Sequence, residues 1–172
     1  MKLPFIEFEF KTLSLENLSE ILDLQDRVIA SLTDPTQLRK NTVEMFTECV
    51  TAPNLTVGVY HGKLLIALGV LYYPTGLEED LSHLLQGVDI DGKKSANYKL
   101  IMVDKPYRGN GLQCALGKRF EEHAKSTGVT LLCSTVSPDN KYSENNMLKL
   151  GYTLNATLPK YGSIRNLFYK FI

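Results

Sequence analysis

The chain has 172 residues with 19 basic and 19 acidic side chains, so its formal net charge is zero. That balance gives no basic surface excess of the kind that draws nucleic acid, and no apolar stretch is long enough to span a membrane. The length suits one domain, residues 1–172, with a sizeable core, and the composition is that of an ordinary soluble globular protein.

The N-terminal "MKLPFIEFEF" carries acidic residues and a proline and does not read as a signal peptide, while three cysteines without a spacing motif suit reduced thiols in the cytoplasm. "PFIEFEFKTL" alternates apolar and acidic residues, a strand with one buried face. Ser14 can cap a helix with a face of Leu15, Leu18, Ile21, Leu22, Gln25, Val28, Ile29 and Leu32, from which Leu24 deviates. Pro35 suits the first turn of a second helix ending near Ala52. "LTVGVYHGKLLIALGVLYY" reads as a hairpin turning at His61-Gly62. The polar segment after it can hold a short helix over Leu77–Leu85.

"ANYKLIMV" is the next strand, followed by "DKPYRGNG" and a long helix closed by Gly128. "VTLLCSTV" is almost fully apolar, as in a strand of a parallel pair buried on both faces. A short helix, "SENNMLKLG", and two strands, "YTLNATL" and "NLFYKFI" joined by "PKYGSIR", complete the chain. The order β-α-α-β-β-β-α-β-α-β-β defines an α/β (α+β) domain with a mixed, mostly antiparallel sheet and about four helices.

The stretch that carries chemistry is "VDKPYRGNGLQCALGKRF". Glycines at a helix mouth allow close backbone approach, and the first amides of a helix sit at the positive end of its dipole. That is an anion site, and Arg108 adds a positive charge. A dinucleotide fingerprint fails because Cys114 stands at the third glycine position. A phosphate-binding P-loop fails because Leu112 stands at its first glycine and Arg119 at its Ser/Thr. The plain alternative is a tight strand-to-helix turn, or a nucleotide-phosphate binder that uses only the glycine turn.

The same stretch resembles the GNAT superfamily of N-acetyltransferases, in which an apolar strand runs into R/Q-x-x-G-x-G/A at the start of a long helix. Arg108 and Gly111 match, and Gln113 replaces the final Gly/Ala. A second similarity follows in "SPDNKYSENNMLKLGY", where Asn140, Ser143, Lys149, Gly151 and Tyr152 fit an N-x-x-S/A helix ending in K-x-G-F/Y. The resemblance covers about residues 98–152. It implies a sheet with a V-shaped splay between two parallel strands, and acetyl-CoA or another acyl-CoA as co-substrate. The pyrophosphate would lie on the amides of Arg108, Gly109, Asn110, Gly111, Leu112 and Gln113. The pantetheine arm would pair with Ile101, Met102 and Val103, with Asn140 and Ser143 reaching it from the other side of the splay.

The implied reaction is direct attack of a primary amine on an acetyl thioester in a ternary complex. A lysine-like amine with a pKa near 10.4 is about one part in a thousand neutral near pH 7.4, roughly 4 kcal/mol of barrier. A general base removes part of that, and a backbone N–H near Met102 or Val103 can hold the developing oxyanion. The family's thiolate-protonating tyrosine falls at Met147 here, so the catalytic residues stay unassigned, with Glu144 and Tyr142 as the nearest candidates. Glu78, Glu79, Asp80 and His83 lie in a loop that can face substrate or simply solvent. Tyr72, Tyr73, Tyr98 and Tyr161 can line an acceptor pocket or pack.

No metal motif or G-x-S-x-G elbow is present. Cys49, Cys114 and Cys133 suit reduced thiols, with Cys114 a core-facing residue beside Ala115. The implied partner is a small-molecule or peptide amine, with neither nucleic acid nor membrane, for a monomer or homodimer. The contrasting expectation is a non-catalytic acyl-CoA-binding or regulatory module on the same fold, suggested by Met147.

Overall fold

The computed structural model describes residues 7–34 and 38–172. Its elements are β1 (Glu9–Thr12), α1 (Leu18–Ala30), α2 (Val43–Cys49), β2 (Leu55–His61), β3 (Leu64–Tyr72), β4 (Ser95–Val103), α3 (Leu112–Ser126), β5 (Leu131–Val136), α4 (Lys141–Lys149), β6 (Thr153–Lys160) and β7 (Ser163–Phe171). The order is the one expected from the sequence. The strands form a mixed, mostly antiparallel sheet in the order β1-β2-β3-β4-β5-β7-β6, with β4 and β5 parallel. By contacts the chain forms two compact units: Met1–Val70 with Leu100–Leu116, and Leu71–Lys99 with Gly117–Ile172.

In the first unit β1 pairs antiparallel with β2. Ser14 and Asn17 form a reciprocal cap over a 3-10 turn at Leu15–Asn17, and α1 follows. Ile21, Leu24, Gln25 and Val28 are its buried residues, so Leu24 belongs to the core stripe, while Leu15 is exposed. Gln25 is buried because its amide captures a backbone. Its Nε2 donates to the Asn41 carbonyl at 3.0 Å, and its Oε1 accepts from the Asn41 N–H at 2.8 Å.

That pairing holds Asn41 out of a helix, and Thr42 then caps α2 by accepting from the Met45 N–H at 3.2 Å. The second helix therefore starts at Val43 and ends at Cys49; Pro35, the expected start, lies outside the described residues. The β2–β3 turn sits one residue later than expected, on Gly62-Lys63, with Gly62 at φ 61°.

Arg27 closes this unit. Its Nε donates to Asp104 Oδ2 at 2.9 Å and its Nη2 to the Leu65 carbonyl at 2.6 Å, while its Nη1 pairs with Asp23. The Asp104 N–H donates to the Ile66 carbonyl at 2.8 Å. Asp104 is buried, and a buried carboxylate needs such a partner.

In the second unit β5 is paired on both sides. Ser95–Asn97 run parallel to Leu131–Cys133, and Asn166–Phe171 run antiparallel to Leu131–Val136. This explains the apolar run in β5. Leu81, Leu131, Cys133 and Leu167 form a core cluster on one face. On the other face Tyr98 meets Phe120 edge-on at 5.3 Å.

The expected helix over Leu77–Leu85 is a 3-10 turn at Leu81–Leu84. Asp80 caps it through the Ser82 N–H at 2.9 Å and also accepts from Ser95 Oγ at 2.9 Å, so the segment is fixed by its cap. β6 and β7 run longer than expected, because the hairpin turns only at Tyr161-Gly162, both at positive φ. Among the described residues no helix is long and apolar enough to cross a membrane.

Replacing Arg27 with methionine keeps the aliphatic stem but strands the Asp104 carboxylate. The expected result in urea unfolding is a loss of roughly 2–3 kcal/mol, largely restored when Asp104→Leu is added.

Candidate functional site

The strand-to-helix junction lies wholly in the first unit. β4 ends at Val103, a 3-10 turn covers Lys105–Tyr107, and α3 opens at Leu112. Gly109 and Gly111 hold φ of 85° and 73°, a left-handed backbone that costs other residues about 1–2 kcal/mol. A Cβ built on either glycine meets nothing within 4 Å. The backbone there faces open space, as a phosphate cradle requires.

At this end the Ala115 N–H donates to the Gly111 carbonyl at 3.0 Å, the bond that opens the helix. The amides ahead of it lie at the positive end of a fifteen-residue helix. Asn110 Nδ2 ties the loop to the Tyr107 carbonyl at 2.9 Å. Tyr107 is steadied by its hydroxyl on His61 Nδ1 at 2.9 Å and by ring contacts with His61 and Phe8.

Arg108 turns its side chain back. Nε donates to the Val103 carbonyl at 3.1 Å and Nη2 to Ser31 Oγ at 3.0 Å, and its N–H closes the turn onto the Lys105 carbonyl. These partners are neutral, so Arg108 keeps its charge at the mouth of α3, whereas the charge of Arg27 is met by Asp104 and Asp23. Of the β4 residues expected to meet a coenzyme, Met102 is buried and Ile101 and Val103 are half-buried; Leu112 and Gln113 are buried.

Asn140 and Ser143 lie in the second unit. Asn140 is the N-cap of α4, its Oδ1 accepting from the Ser143 N–H at 3.0 Å. Glu144 is held by Lys141 Nζ at 2.9 Å and by Asn166 Nδ2, and Asn166 in turn accepts from Thr157 Oγ1 at 2.6 Å. The hydrogen bond from Lys141, and then that from Asn166, hold the Glu144 carboxyl below its usual range. A carboxylate so committed is a weak proton acceptor. Tyr142 is exposed, and Met147 is fully buried in the packing role expected of it.

The acidic loop divides. Glu79 accepts from the Tyr72 hydroxyl at 2.5 Å, Asp80 is a structural cap, and His83 Nε2 lies 3.5 Å from Asp80. Lys99 stands 3.6 Å over the Tyr72 ring, and the Tyr73 hydroxyl bonds Thr127 Oγ1 at 2.7 Å. Tyr98 is core and Tyr161 sits exposed in the hairpin turn. Burial, with a smaller contribution from Asp80, pushes the Cys133 thiol up to about 12. Cys114 is half-exposed instead of core-facing, because α3 turns Leu112, Leu116 and Phe120 inward.

Compared by sequence, the chain matches no protein-family model and no curated protein. Compared by structure, it is similar throughout to acetyltransferases. The GNAT-family acetyltransferase of Streptococcus pneumoniae superposes with a TM-score of 0.71 at 16% identity, over 96% of this chain and 100% of that one. The NAA60 protein of Arabidopsis thaliana, solved in complex with acetyl-CoA, gives 0.74 at 15%, over 96% and 99%. The ribosomal-protein-alanine N-acetyltransferase of Brucella melitensis gives 0.71 at 12%, over 95% and 99%. The chain has the GNAT fold.

Two outcomes follow. Gly111→Ala, strained by φ and not by crowding, should lower stability by about 1 kcal/mol in thermal unfolding without ligand. Glu144, with its folded pKa lowered, contributes stability above the ordinary carboxylate range that is lost as pH falls through the folded value. The stability gap between wild type and Glu144→Gln should therefore close as pH drops from 6 to about 3; a constant gap would remove the charge argument.

Proposed function

We propose that the chain is one acyltransferase domain, residues 1–172, that moves an acetyl group from acetyl-CoA to a primary amine. The observation that carries this reading is the Gly109–Gly111 turn on a GNAT fold, with positive φ and open space where a side chain would stand. The crossings from one compact unit to the other fall inside β3, β4 and α3, which favours a single domain.

Acetyl-CoA would supply the acetyl thioester, whose acyl carbon accepts the amine while the thiolate leaves. The residues that would hold it are Arg108, Gly109, Asn110, Gly111, Leu112 and Gln113 for the pyrophosphate, and Ile101, Met102 and Val103 for the pantetheine arm. Asn140 and Ser143 complete the set. Arg108 serves twice in this reading: it braces Val103 and Ser31, and its unneutralised charge favours the phosphates. The amine would approach in a ternary complex and lose its proton through solvent, since Glu144 is committed to Lys141 and Asn166.

A second reading, a non-catalytic acetyl-CoA-binding module, draws support from the buried Met147 at the position of the family's acid. Turnover with any amine, followed as thiol release, separates the two. The cytoplasm and an amine acceptor free of nucleic acid and membrane belong to this proposal.

Acetyl-CoA at a hundred times its dissociation constant should stabilise the protein by about 2.7 kcal/mol in thermal unfolding, with ATP as control. Gly111→Trp, which fills the open space, should abolish that gain while remaining folded. An equal gain from ATP, or none from either, would sink the reading.

A further inference from the structure

A glycine turn that faces open space has to keep its shape without packing. A Cβ built on Gly109 or Gly111 meets nothing within 4 Å, and glycine has more backbone freedom to lose than any other residue. A loop that orders itself only when its ligand arrives sets that lost freedom against the affinity. Tethers that hold the loop beforehand remove the penalty. Arg108 supplies one through the Val103 carbonyl. A second reaches the loop from the β1–β2 hairpin of the same unit.

Asn110 stands between the two glycines and donates from Nδ2 to the Tyr107 carbonyl at 2.9 Å. The tip of the turn is therefore referred to the position of residue 107. Tyr107 has its N–H on the Asp104 carbonyl at 2.9 Å, and its side chain reaches the end of β2. There its hydroxyl meets His61 Nδ1 at 2.9 Å, and its ring lies edge-on to His61 at 5.5 Å and to Phe8 at 6.5 Å. The register that pairs Glu9 with Tyr60 carries on by one step to set Phe8 beside His61. His61 is exposed, so burial gives no account of it. Its hydrogen bond suits either form of the ring, since Nδ1 accepts from the hydroxyl when bare and donates to it when protonated.

We propose that His61 and Tyr107 form a clamp that pre-orders the 107–111 loop for the coenzyme, which makes both of them positioning residues for acetyl-CoA. The role as a coenzyme clamp rests on the acetyltransferase reading above. It extends the candidate site to a residue 46 positions before Tyr107, and it gives neither side chain a part in the chemistry.

The test uses three variants of the whole protein. Tyr107→Phe keeps the ring and removes the hydroxyl. His61→Ala removes the other partner, and His61→Asn puts an amide where Nδ1 stood. Backbone order parameters are read by 15N relaxation without ligand, and acetyl-CoA affinity is read by titration. In the wild type the loop should lie near the rigid value of about 0.85. Tyr107→Phe and His61→Ala should lower the values over 107–111 alone and weaken acetyl-CoA about three- to tenfold, the worth of one neutral hydrogen bond. The double variant should lose no more than either single one, and His61→Asn should restore most of the loss. Thermal unfolding without ligand checks that each variant is folded. A loop already mobile in the wild type overturns the proposal, as does unchanged order in both Tyr107→Phe and His61→Ala. A loosened loop with unchanged affinity overturns it as well. Absence of acetyl-CoA binding by the wild type fails the acetyltransferase reading instead, and the ligand-free order parameters then decide by themselves whether the clamp orders the loop.

Discussion

A leucine at φ 55° stands within β4 and has to be held there by what surrounds it. Leu100 has a Cβ, so this conformation costs about 1–2 kcal/mol. It persists because both flanks are tied. Before it, Ser95–Asn97 are in register with Leu131–Cys133, and Ser134 Oγ donates to the Tyr98 carbonyl at 2.7 Å. After it, Arg108 holds the Val103 carbonyl, the Asp104 N–H is on Ile66, and the Asp104 carboxylate is on Arg27.

The charged residues near the candidate site divide by what they touch. Arg27 meets carboxylates and is neutralised, so it serves as mortar. Among the described residues Arg108 donates its side-chain bonds to a carbonyl and a hydroxyl, which fix its position without cancelling its field. Near an exposed loop that field is screened over about 8–10 Å, which limits it to an anion lying on the loop itself. One arginine builds the junction and the other can both build it and attract.

The sequence made the order of elements legible because periodicity and punctuation agreed for every strand and long helix. The exceptions share a cause. Residues 38–42 could not be read as extended, because what holds Asn41 there is the side chain of Gln25, sixteen residues earlier. The 3-10 turn at Leu81–Leu84 depends on Asp80 accepting from Ser95. Local pattern is blind to side chains that reach across the fold. The same blindness hid the inward turn of Arg108 and the Tyr107–His61 bond. Gly109 and Gly111 were legible because their need for positive φ is local.

The buried Met147 weighs less against catalysis than it first suggests. An alkyl thiol has a pKa near 8.5, so at pH 7.5 its anion lies only about one decade, some 1.4 kcal/mol, above the neutral form. Protonating that leaving group is a modest task that water can share. Removing the proton from an amine near pKa 10.4 spans about three decades, roughly 4 kcal/mol. Deprotonation is therefore the larger task, and Glu144, held ionised by Lys141 and Asn166, is poorly suited to it. An acceptor whose amine is less basic would close more of that gap than a tyrosine at position 147. α-Amines, near pKa 8, stand within a decade of neutrality at the same pH. On this arithmetic an α-amine needs less help to lose its proton than a lysine side chain, whatever the residue that takes the proton.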